Sequence, residues 1–377
     1  MIYLDNAAST KLLKSAYDDM FPFIMDQYAN PSAVYQFGVE ARNAVDKARR
    51  KVAKSLDVTP DTIYFTSGGS EADNWAILST LASHPGEKCH IISSKIEHHA
   101  ILHTLEFAEK MGHEVTLLDV DSAGMVDPED VKAAIKPNTV LITVMFANNE
   151  IGTVEPIVEI GKIAKEHGIL FHSDCVQAYG HVPIDLDECN LDMISISSHK
   201  VYGPKGVGAL YIRKGVKIGA LIHGGSQERA RRGGTENVSG IVGFGRAAEF
   251  VSNTLMERYE KEKALRDTMW KMLLEAIPEV KMNGSVDFRV PGNLNVTFPG
   301  VKADSMLIRL DMAGISASAG SACTSGAVEP SHVLKAIGLS DEDAKSTLRF
   351  SLGIYNTLEE IMTTVETVRE IYIDLKK

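Results

Sequence analysis

Strand-like and helix-like segments alternate along the chain up to about residue 238. Each strand-like segment is a short run rich in β-branched and aromatic residues, and stretches with helical periodicity, such as residues 70–82, separate these runs. Alternation of this kind is typical of a mainly parallel sheet with helices on both faces. We therefore predict an α/β fold with strands at residues 61–66, 88–93, 114–119, 139–146, 169–174, 192–197 and 208–213.

The pattern changes after residue 238. A long helical segment is predicted from about Gly240 to Ala276. The remaining predicted elements are strands at residues 293–298 and 348–352 and a final helix from Leu358. With 377 residues, the chain exceeds the size at which a single hydrophobic core usually stops growing. We therefore expect two domains, with the boundary inside the long helix.

Charge and hydrophobic patterning argue against two classes of protein. A formal net charge of −11 disfavours a general nucleic-acid binder, because such proteins need a cationic face to displace counterions from phosphates. The sequence shows neither a basic, apolar leader nor an apolar run of membrane-spanning length. We expect a cytoplasmic protein without direct contacts to nucleic acid or membrane.

The cysteines are few and widely spaced, at Cys89, Cys175, Cys189 and Cys323. Few cysteines at this spacing do not indicate a disulfide framework, and they are typical of a protein in a reducing compartment. His172 and Cys175 alone would make a weak metal site, so we expect no bound metal. Cys323 is unusual because the other residues of the segment 316–327 are all Ser, Ala, Gly or Thr.

Polar side chains follow several of the predicted strands directly. In open parallel sheets, ligands bind beyond the carboxyl ends of the strands, where these groups would meet. Each group alone has an ordinary explanation, such as a helix cap or a solvated side chain, and only their convergence on one sheet edge indicates a site. The groups are the turn 66–73, Glu97 with His98 and His99, residues 148–150, Asp174 with Gln177, and residues 197–200.

The turn at residues 66–73 combines glycines and hydroxyls at the start of a predicted helix. Free backbone N–H groups and the helix dipole favour a phosphate at such a position. Ser70 is predicted to cap the helix, with Asp73 as its reciprocal partner. An ordinary capped helix without a ligand is the alternative interpretation.

Together these groups match the requirements of pyridoxal phosphate. Its phosphate needs the Gly-Ser turn, its ring a flat partner, its pyridine nitrogen a carboxylate, and its aldehyde a lysine. Lys200 is the preferred lysine because it follows a strand, lies beside hydroxyl groups and precedes Gly203-Pro204, which favours a sharp turn.

Nine motifs in order along the chain resemble the NifS/IscS-type cysteine desulfurases, which belong to the class V aminotransferase branch of the fold-type I pyridoxal-phosphate enzymes. The motifs are YLDNAAST (3–10), NPS (30–32), FTSGGSEADN (65–74), ANNEIG (147–152), HSDCVQA (172–178), SSHKVYGPKG (197–206), RRGGTEN (231–237), SAGSACTSG (318–326) and LRFSLG (348–353).

This resemblance implies a mainly parallel, seven-stranded sheet flanked by helices, together with a smaller α+β domain. The large cofactor-binding domain would comprise residues 16–254. The small domain would comprise residues 1–15 and 255–377 and carry the loop with Cys323. The working unit would be a homodimer.

The resemblance also assigns catalytic roles to three residues. Lys200 matches the lysine that joins the cofactor aldehyde and transfers protons. His99 would stack on the pyridine ring and is a plausible proton shuttle, because an imidazole titrates near neutral pH. Cys323 matches the nucleophile that accepts sulfur, and the thiolate is its competent form.

Further residues would bind the cofactor and the substrate by the same resemblance. Gly69, Ser70, Ser197 and His199 would bind the phosphate, and Thr235 would reach the phosphate of the partner subunit. Asp174 would pair with the pyridine nitrogen and Gln177 with the phenolic oxygen. Asn149 would lie near that oxygen and near the substrate carboxylate, which Arg349 would bind.

The implied activity is removal of sulfur from L-cysteine, giving L-alanine and a persulfide on Cys323. An acceptor protein, either an iron–sulfur scaffold or a tRNA-thiolation enzyme, would then take the sulfur. Alternatives are a selenocysteine lyase, a cystine C–S lyase, an aminotransferase on the same scaffold, and a binding protein descended from such enzymes. Retention of Cys323 favours sulfur transfer, because transamination needs no such thiol.

Small residues around Cys323 predict a mobile loop over about residues 319–327, which would let the thiol reach both substrate and acceptor. Three residues depart from the family pattern, namely Tyr35, Cys175 and Ala319. They leave the subtype open.

Overall fold

The structure is a computed structural model and describes residues 1–319 and 330–377. Its strands are β1 (Ile2–Tyr3), β2 (Ile63–Thr66), β3 (His90–Ser94), β4 (Glu114–Leu118), β5 (Thr139–Thr143), β6 (Leu170–Asp174), β7 (Met193–Ser197), β8 (Gly208–Ile212), β9 (Lys281–Met282), β10 (Asn293–Thr297), β11 (Ile315–Ser316) and β12 (Thr347–Ser351). Its helices are α1 (Lys14–Met25), α2 (Gln36–Ser55), α3 (Gly69–Ala82), α4 (His99–Lys110), α5 (Pro128–Ala133), α6 (Ile157–Glu166), α7 (Gln227–Ala230), α8 (Val238–Asn253), α9 (Leu255–Ala276), α10 (Ala303–Met312), α11 (His332–Ala336), α12 (Asp341–Ala344) and α13 (Leu358–Leu375).

The central sheet has seven strands in the order β2-β8-β7-β6-β5-β3-β4. The strands from β7 through β4 pair in parallel, and β8 is inserted antiparallel between β7 and β2. Every residue of β3, β7 and β8 is buried, as expected for strands covered by helices on both faces. The predicted mainly parallel, seven-stranded α/β architecture is confirmed.

Helices α1 and α2 are absent from the sequence prediction, although α2 carries a clear apolar stripe. Its buried positions Ala41, Val45, Ala48 and Val52 recur at helical spacing. The stripe packs on α8, where a Cβ atom at Gly245 would lie 2.7 Å from the Cα of Ala48. Small residues therefore let these two helices approach closely at one side of the sheet.

The predicted continuous helix from about Gly240 to Ala276 is wrong, because Thr254 separates α8 from α9. Thr254 has φ −119° and ψ 11°, outside the helical range. Its hydroxyl donates to the carbonyl of Phe250 at 2.8 Å and accepts from Nε of Arg258 at 2.9 Å. A local side-chain bond thus competes with the helix ladder at this position.

A second hydrophobic core forms around small sheets. Strands β9, β10 and β12 make an antiparallel three-stranded sheet, and β1 pairs with β11. Leu4 joins this core together with residues from α9 onward, including Phe298 and Phe350. The N-terminus thus packs with the C-terminal part of the chain, and the two-domain division stays a prediction. In the part of the chain that the structure describes, no helix has the length and apolarity needed to span a membrane.

A buried ion pair attaches the segment around α7 to the sheet and to α2. Arg49 donates to both carboxylate oxygens of Glu228, at 2.6 and 2.7 Å, and both residues are buried. Glu228 also accepts from the backbone N–H of Phe65 at 2.9 Å. Glu228, Arg229 and Ala230 all have positive φ, between 46° and 61°. The ion pair therefore holds a turn that local conformational preferences disfavour.

We predict that Glu228→Gln destabilises the fold by about 3–5 kcal/mol, because it leaves the Arg49 charge buried without a counter-ion. Urea unfolding followed by circular dichroism measures the effect. Glu249→Gln is the matched control, since Glu249 pairs with Lys51 in a partly exposed position, and it should cost less than about 1 kcal/mol. Equal losses in the two variants would contradict the prediction.

Candidate active site

A cavity of about 280 Å³ lies beyond the carboxyl ends of the central strands. It gathers most of the residues that the sequence predicts for the site. These are Gly69, Ser70, His99, Asn149, Asp174, Gln177, Ser197, His199, Lys200 and Arg349. Further lining residues are Ala7, Ala8, Asp73, His98, Met145, Ala147 and Val176. These residues therefore meet beyond the strand ends, while their roles toward a ligand stay predictions.

The N-terminus of α3 forms one wall of this cavity. A Cβ atom at Gly69 would lie 2.7 Å from Cγ2 of Val176, so only glycine permits this approach of helix and loop. The predicted cap by Ser70 is wrong. Gly68 is the N-cap residue and, within the described residues, no side chain caps this helix. Ser70 is exposed at the cavity, whereas Asp73 is turned inward and buried.

Lys200 ends a short 3-10 turn, Ser198–Lys200, directly after β7. Its Nζ donates to the carbonyl of Ala7 at 2.5 Å and to that of Ala8 at 3.0 Å. Nε2 of Gln177 donates to the same Ala7 carbonyl at 2.9 Å. The N-terminal segment thus closes the cavity over the lysine. The sequence analysis assigned no role to Ala7 or Ala8, although they lie in the motif YLDNAAST.

Asp174 is the last residue of β6 and is buried at the cavity. Burial raises the pKa of its carboxyl to about 6. The backbone N–H of Val176 and the charge of Lys200 act in the opposite direction and lower this pKa. The Val176 N–H donates to its Oδ1 at 2.8 Å. A carboxyl held in this way can accept a hydrogen bond from a protonated ring nitrogen inside the cavity.

Both histidines at the start of α4 line the cavity, in different surroundings. His98 is the N-cap, and its Nδ1 accepts from the N–H of Ala100 at 3.1 Å, which leaves Nε2 to carry the proton of the neutral ring. Burial and then the charge of Lys200 lower the pKa of His98 to about 4. His99 instead stacks on His103, with ring centroids 4.9 Å apart. From the sequence, His98 was grouped with Glu97 and His99 after a predicted strand, but only His99 received a catalytic role.

Arg349 is almost completely buried in β12. Its Nη1 donates to the carbonyl of Asn149 at 2.8 Å, and its Nη2 donates to Oδ1 of Asp5 at 2.8 Å. Its Nε has no hydrogen-bond partner among residues 1–319 and 330–377. A guanidinium with an unpaired donor beside the cavity is suited to a carboxylate ligand.

One predicted residue of the described part of the chain lies elsewhere. Thr235 lines a separate cavity of about 210 Å³, together with Ser67, Gly206 and Arg232. Its predicted contact with a partner subunit stays a prediction. Cys323 and the predicted mobile loop around it fall on residues 320–329, outside the described residues.

The residues at the cavity fit pyridoxal phosphate. Gly69 lets the N-terminus of α3 lie close to Val176 at the wall of the cavity. This helix N-terminus and the hydroxyls of Ser70 and Ser197 can together bind a phosphate. Asp174 is placed for a ring nitrogen and the Lys200 amine for an aldehyde. Burial and the nearby Lys200 lower the pKa of His199 to about 4, so this ring stays neutral beside the hydroxyls. The donor set thus supplies one group for each polar end of the cofactor.

The sequence matches the aminotransferase class-V family over residues 2–363, and the chain belongs to this family. Within it, the chain is 48% identical over 375 residues to a protein of Dictyoglomus turgidum called cysteine desulfurase IscS, covering 100% of this chain and 95% of that protein.

Two solved structures are also similar to the chain. A NifS-like protein superposes with a TM-score of 0.94 at 36% identity, covering 99% of this chain and 100% of that one. The structure of SspA in complex with cysteine gives a TM-score of 0.85 at 40% identity, covering 95% of this chain and 100% of that one.

We predict that the His98 side chain stays neutral down to about pH 5, because burial and Lys200 disfavour its charged form. A lowered pKa means that the unfolded chain takes up the proton first. The stability that His98 contributes is therefore present above its ordinary pKa and lost as the pH falls toward 4. Nuclear magnetic resonance titration, with His98→Gln to assign the signal, measures this pKa. A midpoint near the ordinary histidine value would contradict the prediction.

Proposed function

We propose that this protein is a cysteine desulfurase that binds pyridoxal phosphate and transfers sulfur from L-cysteine to Cys323, releasing L-alanine. The observation that carries the proposal is the convergence of Lys200, Asp174 and Arg349 on one cavity. The relative called cysteine desulfurase and the cysteine complex of a similar structure support the choice of substrate.

Six residues would hold the cofactor. Gly69, Ser70, Ser197 and His199 would bind its phosphate, Asp174 its ring nitrogen and Gln177 its phenolic oxygen. The bound cofactor supplies an electron-accepting ring that stabilises negative charge at the α-carbon of an amino acid. The chain's own contribution at the ring is the buried carboxylate of Asp174, which keeps the ring nitrogen protonated.

Arg349 would bind the substrate carboxylate, with Asn149 next to it. The guanidinium lies almost fully buried and is oriented by Asp5 and by the Asn149 carbonyl, so a carboxylate there is held in one position. A substrate bound in this way would share its cavity with the Lys200 amine. The Lys200 amine would then take and return the α-proton.

A histidine would act at the departing substrate sulfur. The sequence points to His99 as a proton shuttle, whereas the geometry favours His98 as a hydrogen-bond donor to the negative charge that develops on that sulfur. His98 lies close enough to Lys200 for the lysine charge to lower the pKa of the ring, and the Ala100 N–H occupies Nδ1, so the neutral ring donates a hydrogen bond from Nε2 and keeps its proton. Both rings remain candidates, and the pair of variants below separates them.

Cys323 would attack the substrate sulfur as a thiolate and become a persulfide, which an acceptor protein then takes. Several features of this route belong to the proposal alone: the homodimer in which Thr235 reaches the partner's phosphate, the cytoplasmic location, and the identity of the acceptor as an iron–sulfur scaffold or a tRNA-thiolation enzyme. Their support is the resemblance of the motifs around Thr235 and Cys323 to those of the family.

Product analysis tests the proposed function. The purified protein with bound pyridoxal phosphate should convert L-cysteine, in the presence of a thiol reductant, to alanine and sulfide in equal amounts. Cys323→Ser should stop sulfide formation and keep the yellow colour, whereas Lys200→Ala should lose turnover altogether. Pyruvate and ammonia in place of alanine would instead identify an eliminating C–S lyase.

His98→Gln and His99→Gln form a matched pair of variants. We predict that His98→Gln lowers kcat by about 10²-fold or more, since a positioned hydrogen-bond donor to developing negative charge contributes on this scale. His99→Gln, whose ring packs on His103, should lower kcat by less than about tenfold. Steady-state kinetics over a pH range give both values. The reverse order would assign the role to His99, as the sequence alone suggests.

A further inference from the structure

A second buried carboxyl lies at the floor of the cavity, and the proposed reaction gives it no role. Asp73 projects from α3 and is only 1% exposed. It lines the same cavity as Asp174. Its Oδ1 finds no hydrogen-bond partner in the described part of the chain. Burying an ionised carboxylate without a hydrogen-bond partner on one oxygen costs free energy of folding. The protonation state of Asp73 therefore needs an explanation.

The imidazole nearest to Asp73 does not neutralise it. Nε2 of His172 lies 3.8 Å from Oδ1 of Asp73, and His172 is fully buried. The ring is engaged on both sides, by the hydroxyl of Thr143 at 2.9 Å and that of Ser195 at 3.0 Å. Burial lowers the pKa of His172 to about 3, so the ring is neutral at physiological pH.

The titratable groups that act on the pKa of Asp73 are acidic. Burial and then the charge of Asp174 raise the pKa of Asp73 well above its ordinary value, the Ser195 hydroxyl lowers it, and the charge of Glu97 raises it further. Glu97 is buried too, and burial raises its pKa to about 8. The charge of Lys200 favours the ionised form of Asp174. The environment therefore favours the proton on Asp73 and the negative charge on Asp174.

We infer that Asp73 is a positioning residue that holds one proton beside Asp174, so that the two buried carboxyls carry a single negative charge, located on the oxygens that face the cofactor. Two carboxylates enclosed together cannot both ionise without a large repulsive cost, and one shared proton removes that cost. The role of Asp174 toward the ring rests on the proposed function. The proton on Asp73 does not, because it follows from burial and geometry alone.

Three forms of the full-length protein with bound pyridoxal phosphate test this inference: wild type, Asp73→Asn, and Asp46→Asn as the control on the exposed side of α2. Infrared spectroscopy with isotope-labelled aspartate should show the band of a protonated carboxyl at neutral pH in wild type and in the control. Asp73→Asn should lack it. The aspartate label separates this band from those of Glu97 and Glu155, whose pKa values burial raises to about 8.

The pH dependence of unfolding is the second readout. The pKa of Asp73 is higher in the folded than in the unfolded chain. The contribution of Asp73 to folding stability is therefore present at low pH and is lost as the pH rises toward its folded-state pKa. The folded-to-unfolded ratio of wild type should therefore fall by up to about tenfold per pH unit above about pH 4, the ordinary aspartate pKa, relative to Asp73→Asn. Asp46→Asn should follow wild type.

Turnover of L-cysteine separates this inference from the proposed function. Formation of alanine and sulfide by wild type tests the proposed function, whatever the infrared band of Asp73 shows. If wild type lacks the band of a protonated aspartic acid, the role of Asp73 is overturned, even if alanine and sulfide form. The same holds if Asp73→Asn unfolds with the same pH dependence as wild type. The wild-type band remains decisive if Asp73→Asn does not fold.

Discussion

The burial of Asp174 at the carboxyl end of β6 is the constraint on which the rest of the site depends. A carboxyl in this position is costly to ionise, and its pKa is raised accordingly. The surrounding structure lowers that cost with the Val176 N–H and with the nearby cation of Lys200. The site is therefore arranged around the Asp174 carboxyl, which lines the same cavity as the N-terminus of α3.

The two ends of the chain complete this arrangement. Asp5 and Arg349 are 344 positions apart in sequence, yet they form a hydrogen-bonded ion pair at 2.8 Å. Ala7 and Ala8 cover the Lys200 amine with their carbonyl groups. The second hydrophobic core, in which Leu4 packs against residues from α9 onward, brings these segments to the cavity. Catalytic geometry in this protein thus depends on the packing of the smaller sheets as well as on the central one.

Much of the site could be predicted from the residues that follow strands. The carboxyl ends of parallel strands share one edge, so Asp174 after β6 and Lys200 after β7 had to come close together. Prediction was less successful where a single residue changes the local direction of the chain. The helix predicted through Thr254 breaks there because its hydroxyl binds the backbone. The cap predicted at Ser70 fails because α3 begins at Gly69, immediately after Gly68.

The sequence by itself determined the α/β architecture, the family and the chemical groups available at the cavity, because periodicity and ordered motifs are local properties of the chain. Only the tertiary structure decided which groups meet. Each residue of a helix turns by about 100°, so adjacent histidines face different neighbours, and His98 approaches Lys200 while His99 stacks on His103. Asp73 of α3 and Asp174 of β6 line one cavity, and nothing in the sequence indicates that they share it.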